Sequence, residues 1–252
     1  RASAFLSDAA AEALFAGASR SYADIRREAA AAGGRPEGFA LAGEAVFEVH
    51  TRREDLQTAN VVGVIEGSDP ALKAEYVVMT AHLDHLGLSG TGPDRINNGA
   101  LDNAGGIASM LEAARMLAQA PPRRSVLVVA LSAEELGLIG SDYLARYPVA
   151  PGAIANVNLD MPILTYDFTD VVAFGAEHST MGPLVAAAAR AEGVSLSPDP
   201  MPEQNVFTRS DHYSFVQAGI PSVMLATGYA NGGEAAWGQF FANGYHKPND
   251  DL

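Results

Sequence analysis

Hydrophobic and polar residues in the first quarter of the chain follow two short-range patterns. Residues 7–17 and 21–32 are rich in alanine, each opens on a serine, and a glycine closes or follows each; this predicts two short helices capped by serine. Residues 45–51 and 60–67 are runs of β-branched residues separated by a polar turn, which predicts two antiparallel strands. His50 falls on the outward side of the first run, so we expect it on the surface.

From residue 76 onward, short apolar runs alternate with longer amphipathic segments. The runs at 76–82 and 125–132 predict strands, whereas 104–120 and 134–147 predict helices. Six residues of the first helix share one face at helical spacing: Ile107, Met110, Leu111, Ala114, Leu117 and Ala118. Strands that alternate with helices are typical of βα units, so we expect a largely parallel sheet.

The second half of the chain continues this alternation. Its composition predicts strands at 154–160, 170–175 and 221–226, and a helix at Met181–Ala191 that carries a proline near its start. Residues 228–252 are rich in Gly, Asn and aromatic residues. We therefore expect a long loop region there, of the kind that carries function.

The overall composition fits one compact globular domain. The chain has 252 residues, 48% of them hydrophobic and 18% charged, which is enough apolar material for a core that folds unaided. No apolar run approaches the length of a membrane span. A net charge of −14 disfavours binding to polyanions, so nucleic acid is not expected as a partner.

The absence of cysteine narrows the chemistry further. It excludes a disulfide framework and thiolate metal sites, so any metal must be held by His, Asp and Glu. The sequence opens on Arg1 without a basic and apolar leader, which fits a cleaved signal peptide and a trimmed chain equally. We expect it to be part of a longer precursor.

Two adjacent glutamates, Glu134 and Glu135, directly follow the apolar run 125–132. Ser132 and Glu135 have the spacing of a helix capping box, and acidic residues suit the start of a helix. Capping alone would therefore explain both glutamates. The residues at the ends of the other strands decide between this explanation and a functional one.

Polar residues stand at equivalent places in neighbouring units: His82 ends one predicted strand and Asp160 another. The carboxyl ends of parallel strands line one crevice, so we expect these side chains and the glutamate pair to converge. Asp102 in a glycine-rich loop and His246 in a late loop have simpler explanations when taken alone, a helix cap and a solvated residue. Together, two histidines and several carboxylates are the ligands of a paired divalent-metal site.

Within such a site, the two glutamates would have different roles. Neighbouring residues at a helix start point in different directions, so one can bind metal while the other faces the attacking water. Asp84 lies two residues after His82 and points to the same side of an extended chain, where its carboxylate would hold the other ring nitrogen of that ligand. His85 points the other way and is interpreted as structural.

Six segments in order carry a resemblance to a known family: AHLDHLG, NGALDNAGGIA, LSAEELGLIGS, NLDM, RSDHYSF and YHKPND. They resemble the signature of the M28 family of di-zinc aminopeptidases, from about Val61 to the end of the chain. The resemblance implies a three-layer α/β/α sandwich with a mixed, mostly parallel central sheet. Residues 1–252 would then form a single catalytic domain, with residues 1–40 as an N-terminal helical segment.

The resemblance also implies a set of metal ligands. His82 and Asp160 would complete one zinc site, Glu135 and His246 the other, and Asp102 would bridge the two. The implied cofactors are two Zn²⁺ per chain, with Co²⁺ or Mn²⁺ as substitutes because the same ligand types accept several divalent ions.

The implied reaction is hydrolysis of peptides from the N-terminus, which makes peptides the expected partners. Glu134 would be the general base, Asp84 would support catalysis by orienting its histidine, and the Tyr245 hydroxyl would help polarise the tetrahedral intermediate. For Tyr245, packing within its loop is the alternative. Oligomeric state is not readable from the sequence.

Residues 202–215 are expected to form a wall of the cleft. Three of them, together with Tyr229, are candidates for substrate contact: Arg209, Asp211 and His212. The alternative is that Asp211 caps a helix and Arg209 makes a structural ion pair. Tyr229 and the aromatic segment 235–241 would line the specificity pocket or, alternatively, belong to the core.

The chain departs from the family in two ways. In the family a further helix normally follows the last histidine motif, whereas the given sequence stops six positions after His246. Many relatives also carry an inserted protease-associated domain, and no segment here resembles one. Three alternatives to an aminopeptidase stay open, namely a carboxypeptidase, a single-zinc glutaminyl cyclase and a non-catalytic receptor-type module. Substrates with a free amine or a free carboxylate, and a count of two ions or one, separate them. By family resemblance, we expect a secreted or periplasmic protein.

Overall fold

The computed structural model describes residues 4–41, 43, 46–89 and 92–251. It divides into two compact units, one up to Leu56 and the other from Gln57 onward. The expectation that residues 1–252 form a single domain stays a prediction.

The first unit contains two short helices, α1 (Asp8–Leu14) and α2 (Tyr22–Ala30). Ser7 and Ser21 cap them, as predicted: each hydroxyl accepts a hydrogen bond from the backbone N–H three residues on, at 3.3 and 3.1 Å. These bonds satisfy amide donors that have no partner within the helix. The sequence pattern therefore located both helix starts correctly.

The strand predicted at 45–51 is wrong for residues 46–51, which form no strand; Ala45 lies outside the described residues. Val46, Phe47 and Val49 expose 85%, 56% and 69% of their surface, so no neighbouring strand covers them. β-Branched composition favours a strand only where packing supports it. His50 is exposed, as expected.

The second unit is built on a seven-stranded sheet, with a separate two-stranded ribbon. In chain order the strands are β1 (Val61–Ile65), β2 (Tyr76–His82), β3 (Gly87–Leu88), β4 (Ile96–Asn97), β5 (Ser125–Leu131), β6 (Ala153–Leu159), β7 (Asp170–Phe174), β8 (Ser195–Ser197) and β9 (Ser222–Thr227). The sheet has the order β1-β5-β2-β6-β9-β7-β8, and β3 pairs with β4. Within the seven-stranded sheet, β1 runs antiparallel to β5 and β7 antiparallel to β9, whereas the other pairs are parallel. The ribbon pair β3 and β4 is antiparallel. The sheet is thus mixed and mostly parallel, as predicted.

Helices cover both faces of this sheet: α3 (Gly105–Gln119), α4 (Ile139–Arg146), α5 (Met181–Ala191), α6 (His212–Gln217) and α7 (Gly233–Asn243). Since successive strand residues face opposite sides, the contacts assign each helix to a face. Met110 of α3 and Met181 of α5 pack on one face. Leu144 of α4, Phe215 of α6 and Trp237 of α7 pack on the other. The result is the three-layer α/β/α sandwich that the family resemblance implied.

Two predicted segments differ from the observed structure. The helix predicted from residue 134 begins at Ile139, because Ala133 and Leu138 have φ angles of 60° that interrupt a right-handed helix. The predicted loop region 228–252 contains α7, an 11-residue helix. Its aromatic side chains supply the apolar contacts that stabilise a helix despite its glycines.

The apolar face predicted for α3 is narrower than expected. Ile107, Met110, Ala114 and Leu117 pack on the sheet with Ala113, whereas the other two predicted residues, Leu111 and Ala118, are exposed. Across the described residues, none of the helices has the length and apolar character needed to span a membrane.

Candidate metal centre

The predicted polar side chains meet at one edge of the sheet. β2 ends at His82, Asp160 follows β6, and the glutamate pair follows β5. These three strands are parallel neighbours, so their carboxyl ends lie side by side. The convergence expected from the sequence is therefore confirmed.

The first group of ligands, called here the first triad, consists of His82, Asp102 and Asp160. His82 Nε2 lies 3.2 Å from Asp160 Oδ1 and 3.3 Å from Asp102 Oδ1. All three side chains are buried, and His82 exposes 1% of its side chain. The second group, the second triad, consists of His246, Glu135 and again Asp102.

In the second triad, His246 Nε2 lies 3.3 Å from Glu135 Oε2 and 3.3 Å from Asp102 Oδ2. Asp102 thus presents one carboxylate oxygen to each triad. Four ligands at about 2.0–2.1 Å from a zinc ion stand about 3.3 Å apart in a tetrahedron. In each triad the two separations between the histidine nitrogen and the carboxylate oxygens match edges of such a tetrahedron, so the residues fit a pair of zinc ions that Asp102 would bridge.

The charges of the centre also call for cations. Burial lowers the pKa of His82, but the carboxylates of Asp160 and Asp102 outweigh it and raise that pKa to about 12. Burial and the neighbouring Asp160 carboxylate raise the pKa of Glu134 to about 9. The His82 shift, and the part of the Glu134 shift that comes from Asp160, reflect an excess of buried negative charge, which divalent ions would balance.

The carboxylate of Asp84 holds the loop that carries Glu134 and Glu135. The carboxylate oxygens accept hydrogen bonds from the backbone N–H groups of Glu134 and Glu135, at 3.1 and 3.3 Å. His82 Nδ1 lies 3.0 Å from the backbone oxygen of Asp84 and 3.9 Å from its nearer carboxylate oxygen. Asp84 therefore contacts the second nitrogen of the ligand, with its carbonyl oxygen at hydrogen-bond distance and its carboxylate at the longer distance of an ion pair.

The capping box, which was the alternative explanation of the glutamate pair, is not formed. The backbone N–H of Ser132 donates to Asn60 Oδ1 at 3.0 Å, so Glu135 does not satisfy it. Glu135 Oε2 faces His246 instead. The glutamate pair therefore belongs to the site, not to a helix end.

The turn that carries Asp102 is held by residues that the sequence analysis missed. Asp250, 2% exposed, accepts hydrogen bonds from the backbone N–H groups of Leu101 and Asp102 at 2.8 and 3.0 Å. Asn103 donates to the backbone oxygen of Leu159, just before Asp160, at 3.0 Å. The peptide bond between Asp102 and Asn103 is cis.

A second missed feature is a chain of buried polar groups that leads to Asp160. Asn156 donates to Thr80 Oγ1 at 3.0 Å, and Thr80 donates to Asn158 Oδ1 at 2.7 Å. Asn158 donates to Ser210 Oγ at 2.8 Å, and Ser210 donates to Asp160 Oδ2 at 2.6 Å. Polar residues inside the otherwise apolar strand NVNL were the available signal, because buried amides are retained where they have partners.

His85 was expected to face away from the site, and this is wrong; its interpretation as structural stays a prediction. Its ring is buried, and its Nδ1 lies 2.7 Å from Glu135 Oε1 and 3.9 Å from Asp102 Oδ2. One ligand atom from each of these three residues falls within 4.8 Å of the others. Because β2 ends at His82, the alternation of an extended chain no longer governs where His85 points.

A cavity of about 310 Å³ opens on the centre. Besides the ligands and Glu134, its walls include Arg209, Tyr245 and a largely apolar group: Met161, Phe174, Met201, Met224, Trp237 and Phe241. The Tyr245 ring stacks on His246 with centroids 3.9 Å apart, and its hydroxyl lies 3.4 Å from Arg209 Nη2. Burial raises the pKa of Tyr245 to about 12, so the hydroxyl keeps its proton.

Three of the four predicted substrate contacts do not reach this cavity. Asp211 and His212 are both fully buried, and Asp211 makes no side-chain cap to α6. Tyr229 packs in the core beside Trp237. Only Arg209 lines the cavity. Its guanidinium lies near Tyr245 rather than in the structural ion pair considered above.

Comparison with known proteins finds one family. The sequence model of peptidase family M28 matches residues 60–252. Aminopeptidase NAALADL1 of Mus musculus is 30% identical over 146 residues, covering 53% of this chain and 18% of that protein. Aminopeptidase YwaD of Bacillus subtilis is 34% identical over 106 residues, covering 40% and 21%. The chain thus spans about a fifth of the length of these relatives.

Solved structures agree in fold. A zinc aminopeptidase from Bacillus subtilis, BSAP, superposes with a TM-score of 0.52 at 28% identity and covers 69% of this chain and 41% of its own. A Zn-dependent exopeptidase from Parabacteroides distasonis has a TM-score of 0.56 at 20% identity and covers 76% and 70%. The glutaminyl cyclase of Porphyromonas gingivalis has a TM-score of 0.52 at 18% identity and covers 75% and 70%.

Proposed function

Because the chain belongs to peptidase family M28, we propose that it is an aminopeptidase that removes N-terminal residues from peptides with two zinc ions. The observation that carries the proposal is the pair of ligand triads that share Asp102. In each triad the histidine nitrogen stands at about the edge length of a zinc tetrahedron from both carboxylates. Relatives named aminopeptidases support the same reaction.

Each residue of the chain then has a definite task. Zinc ions bound at the triads would acidify a water molecule and polarise the scissile carbonyl. Glu134 takes the proton of that water and passes it to the leaving amine. The Tyr245 hydroxyl, which keeps its proton, donates a hydrogen bond to the developing oxyanion.

The cavity suggests which substrates fit. Its methionines and aromatic residues form an apolar pocket of the kind that accepts a hydrophobic side chain, and methionine side chains adapt to several shapes. We propose that the first residue of the substrate is apolar. Arg209 at the cavity wall would then contact the part of the peptide beyond the scissile bond.

The decisive experiment combines a metal count with a pair of substrates. Protein purified without chelator should contain about two zinc ions per chain, and it should hydrolyse a leucine anilide but not its N-acetylated counterpart. Cleavage of the blocked substrate, or a single ion, would contradict a di-zinc aminopeptidase. One ion with cyclisation of N-terminal glutamine would instead identify a glutaminyl cyclase.

Glu134→Gln tests the base separately from the metal. It should lower turnover by about 10²–10⁴-fold and leave the zinc content unchanged, since Glu134 is assigned to neither triad. Glu177→Gln, a substitution of the same type at an exposed glutamate, is the control. A Glu134→Gln enzyme with the turnover of the parent would exclude the assigned role.

The position of Arg209 at the cavity wall supports a carboxypeptidase as the second candidate, because a guanidinium there can bind a terminal carboxylate through two hydrogen bonds. Substrates with a free carboxylate and a blocked amine distinguish this alternative. A receptor-type module without catalysis would take up no zinc.

Secretion, or export to the periplasm, is also proposed from family resemblance; location of the full-length protein by cell fractionation tests it.

A further inference from the structure

His85 is a buried histidine at the metal centre to which no task has been assigned. Its side chain is 7% exposed, and its ring makes an edge contact with the ring of His246, centroids 5.8 Å apart. The backbone of Gly99 packs against it so closely that a Cβ there would lie 2.9 Å from His85 Cγ. The ring therefore has little freedom to turn away.

The two oxygens of Glu135 face different histidines. Oε2 lies 3.3 Å from His246 Nε2 and belongs to the second triad. Oε1 lies 2.7 Å from His85 Nδ1, a short contact that is not aligned as a hydrogen bond. No hydrogen bond to Oε1 comes from elsewhere in the described part of the chain.

The distances fit His85 poorly as a further ligand in the tetrahedron of the second triad. Its Nδ1 is 3.9 Å from Asp102 Oδ2, whereas the edges of a zinc tetrahedron are about 3.3 Å. Its distance to Glu135 Oε1 is instead that of two polar groups in direct contact. His85 is thus placed to act on a ligand rather than on the ion.

Glu135 needs such support because it lies on an irregular turn. Ala133, Gly137 and Leu138 around it have φ angles of 60°, 103° and 60°, and its backbone is tied to Asp84 through one N–H. A glutamate side chain has three rotatable bonds, which lose entropy when the carboxylate is fixed. A partner on Oε1 reduces the number of orientations available to Oε2.

We propose that His85 is a positioning residue: through Nδ1 it holds Oε1 of Glu135, so that Oε2 alone faces the second metal ion. This inference rests on the proposed two-ion site. Partners of metal ligands commonly contribute 10–100-fold to metal affinity, so His85 should govern the affinity of the second ion and leave that of the first unchanged.

The test is calorimetric titration of the metal-free protein with Zn²⁺, repeated with Co²⁺ and its visible absorption. The parent should bind two ions. His85→Phe keeps the ring against Gly99 but removes its nitrogens, and should weaken the second ion about 10–100-fold. His85→Gln offers an amide N–H to Oε1 and should restore part of the loss. His178→Phe, at an exposed histidine, should match the parent.

The possible results separate the two proposals. A parent that binds fewer than two ions contradicts the proposed function, and this inference falls with it. If the parent binds two ions and His85→Phe binds them with unchanged affinity, the positioning role alone is overturned. It is also overturned if His85→Phe loses one ion completely at saturating Zn²⁺, because His85 would then be a ligand. Thermal melting of the metal-free variants checks folding, and His85→Leu replaces His85→Phe if the latter does not fold.

Discussion

The two triads share Asp102 but are built from different kinds of structure. His82 and Asp160 stand at the ends of central parallel strands, with side chains 1% and 6% exposed. Glu135 lies on a turn, and His246 lies on a loop, has a φ angle of 57° and exposes 37% of its side chain. One half of the centre therefore inherits the geometry of the sheet, whereas the other is assembled from loops.

The difference shows where a metal centre needs additional support. The loops that carry the second triad and the shared Asp102 are held by additional contacts. Asp84 binds the N–H groups of the glutamate pair, and Asp250 binds the turn of Asp102. His85 lies in contact with Glu135. Ligands that are held in place before binding lose less entropy when the ion arrives. We infer that the strand-borne triad binds its ion more tightly.

Asp102→Ala should have the largest effect, because it removes a ligand from both halves at once. We expect at most one ion per chain and turnover reduced by more than about 10³-fold, since the two ions act as a unit. Metal analysis and leucine-anilide hydrolysis measure both. Asp102→Asn, which keeps one neutral acceptor oxygen, should retain more metal than Asp102→Ala; two ions bound by the alanine variant would refute the bridge.

Asp250→Ala should come next, because it removes both acceptors of the Asp102 turn. Loss of two buried hydrogen bonds to a carboxylate should lower the free energy of unfolding by about 3 kcal/mol, and it should weaken the second ion as the turn loosens. Urea unfolding and zinc titration measure these effects. Asp250→Asn can still accept one of the two bonds, so its loss should be smaller; equal losses would mean that the carboxylate does not act through these bonds.

The asymmetry between the triads also explains how far the sequence could predict this site. His82, Asp160 and the glutamate pair were located correctly because strand ends follow from the apolar runs and parallel topology brings those ends together. Asp102 and His246 were assigned through family resemblance, and the structure brings both into the centre. Loop ligands have no periodic pattern that would locate them.

The supporting residues lay beyond prediction for a related reason. Asp250 bonds a turn 148 residues away, and this contact leaves no local signal. Ser210 links strand β6 to Asp160, and only the polar residues within that strand indicated that such partners exist. The side chain of His85 was expected on the wrong side because strand alternation was extended past the end of β2. A strand was likewise predicted at 46–51 from local composition alone, although no neighbouring element covers its apolar side chains.

His212 offers a test of the buried layer behind the first triad. Burial lowers its pKa from 6.5 to about 4, so the unfolded chain takes up a proton before the folded one does. The stability that depends on neutral His212 is full above pH 6.5 and is lost as the pH falls towards 4, by about 2 kcal/mol between pH 7.5 and 5.0.

His212→Phe should therefore remove this contribution, because the variant has nothing to protonate at that position: relative to the parent, its loss of unfolding free energy from pH 7.5 to 5.0 should be smaller by about 2 kcal/mol. Urea unfolding of the metal-free protein at pH 7.5 and 5.0 measures the difference, and His178→Phe, at an exposed histidine, should leave the slope of the parent unchanged. A slope in His212→Phe equal to that of the parent would show that His212 does not cause it.

The smallest expected effect is the difference in affinity between the two ions themselves. The loop-borne second triad should release its ion first, at a free chelator concentration about tenfold below that needed for the other. In the Co²⁺ protein, the species with one ion left should have the absorption spectrum of His246→Gln, which keeps the first triad, and not that of His82→Gln. Release of both ions in one step, or the opposite spectrum, would show that burial at strand ends does not set the order of affinity, and the contrast between the halves would then be one of architecture alone.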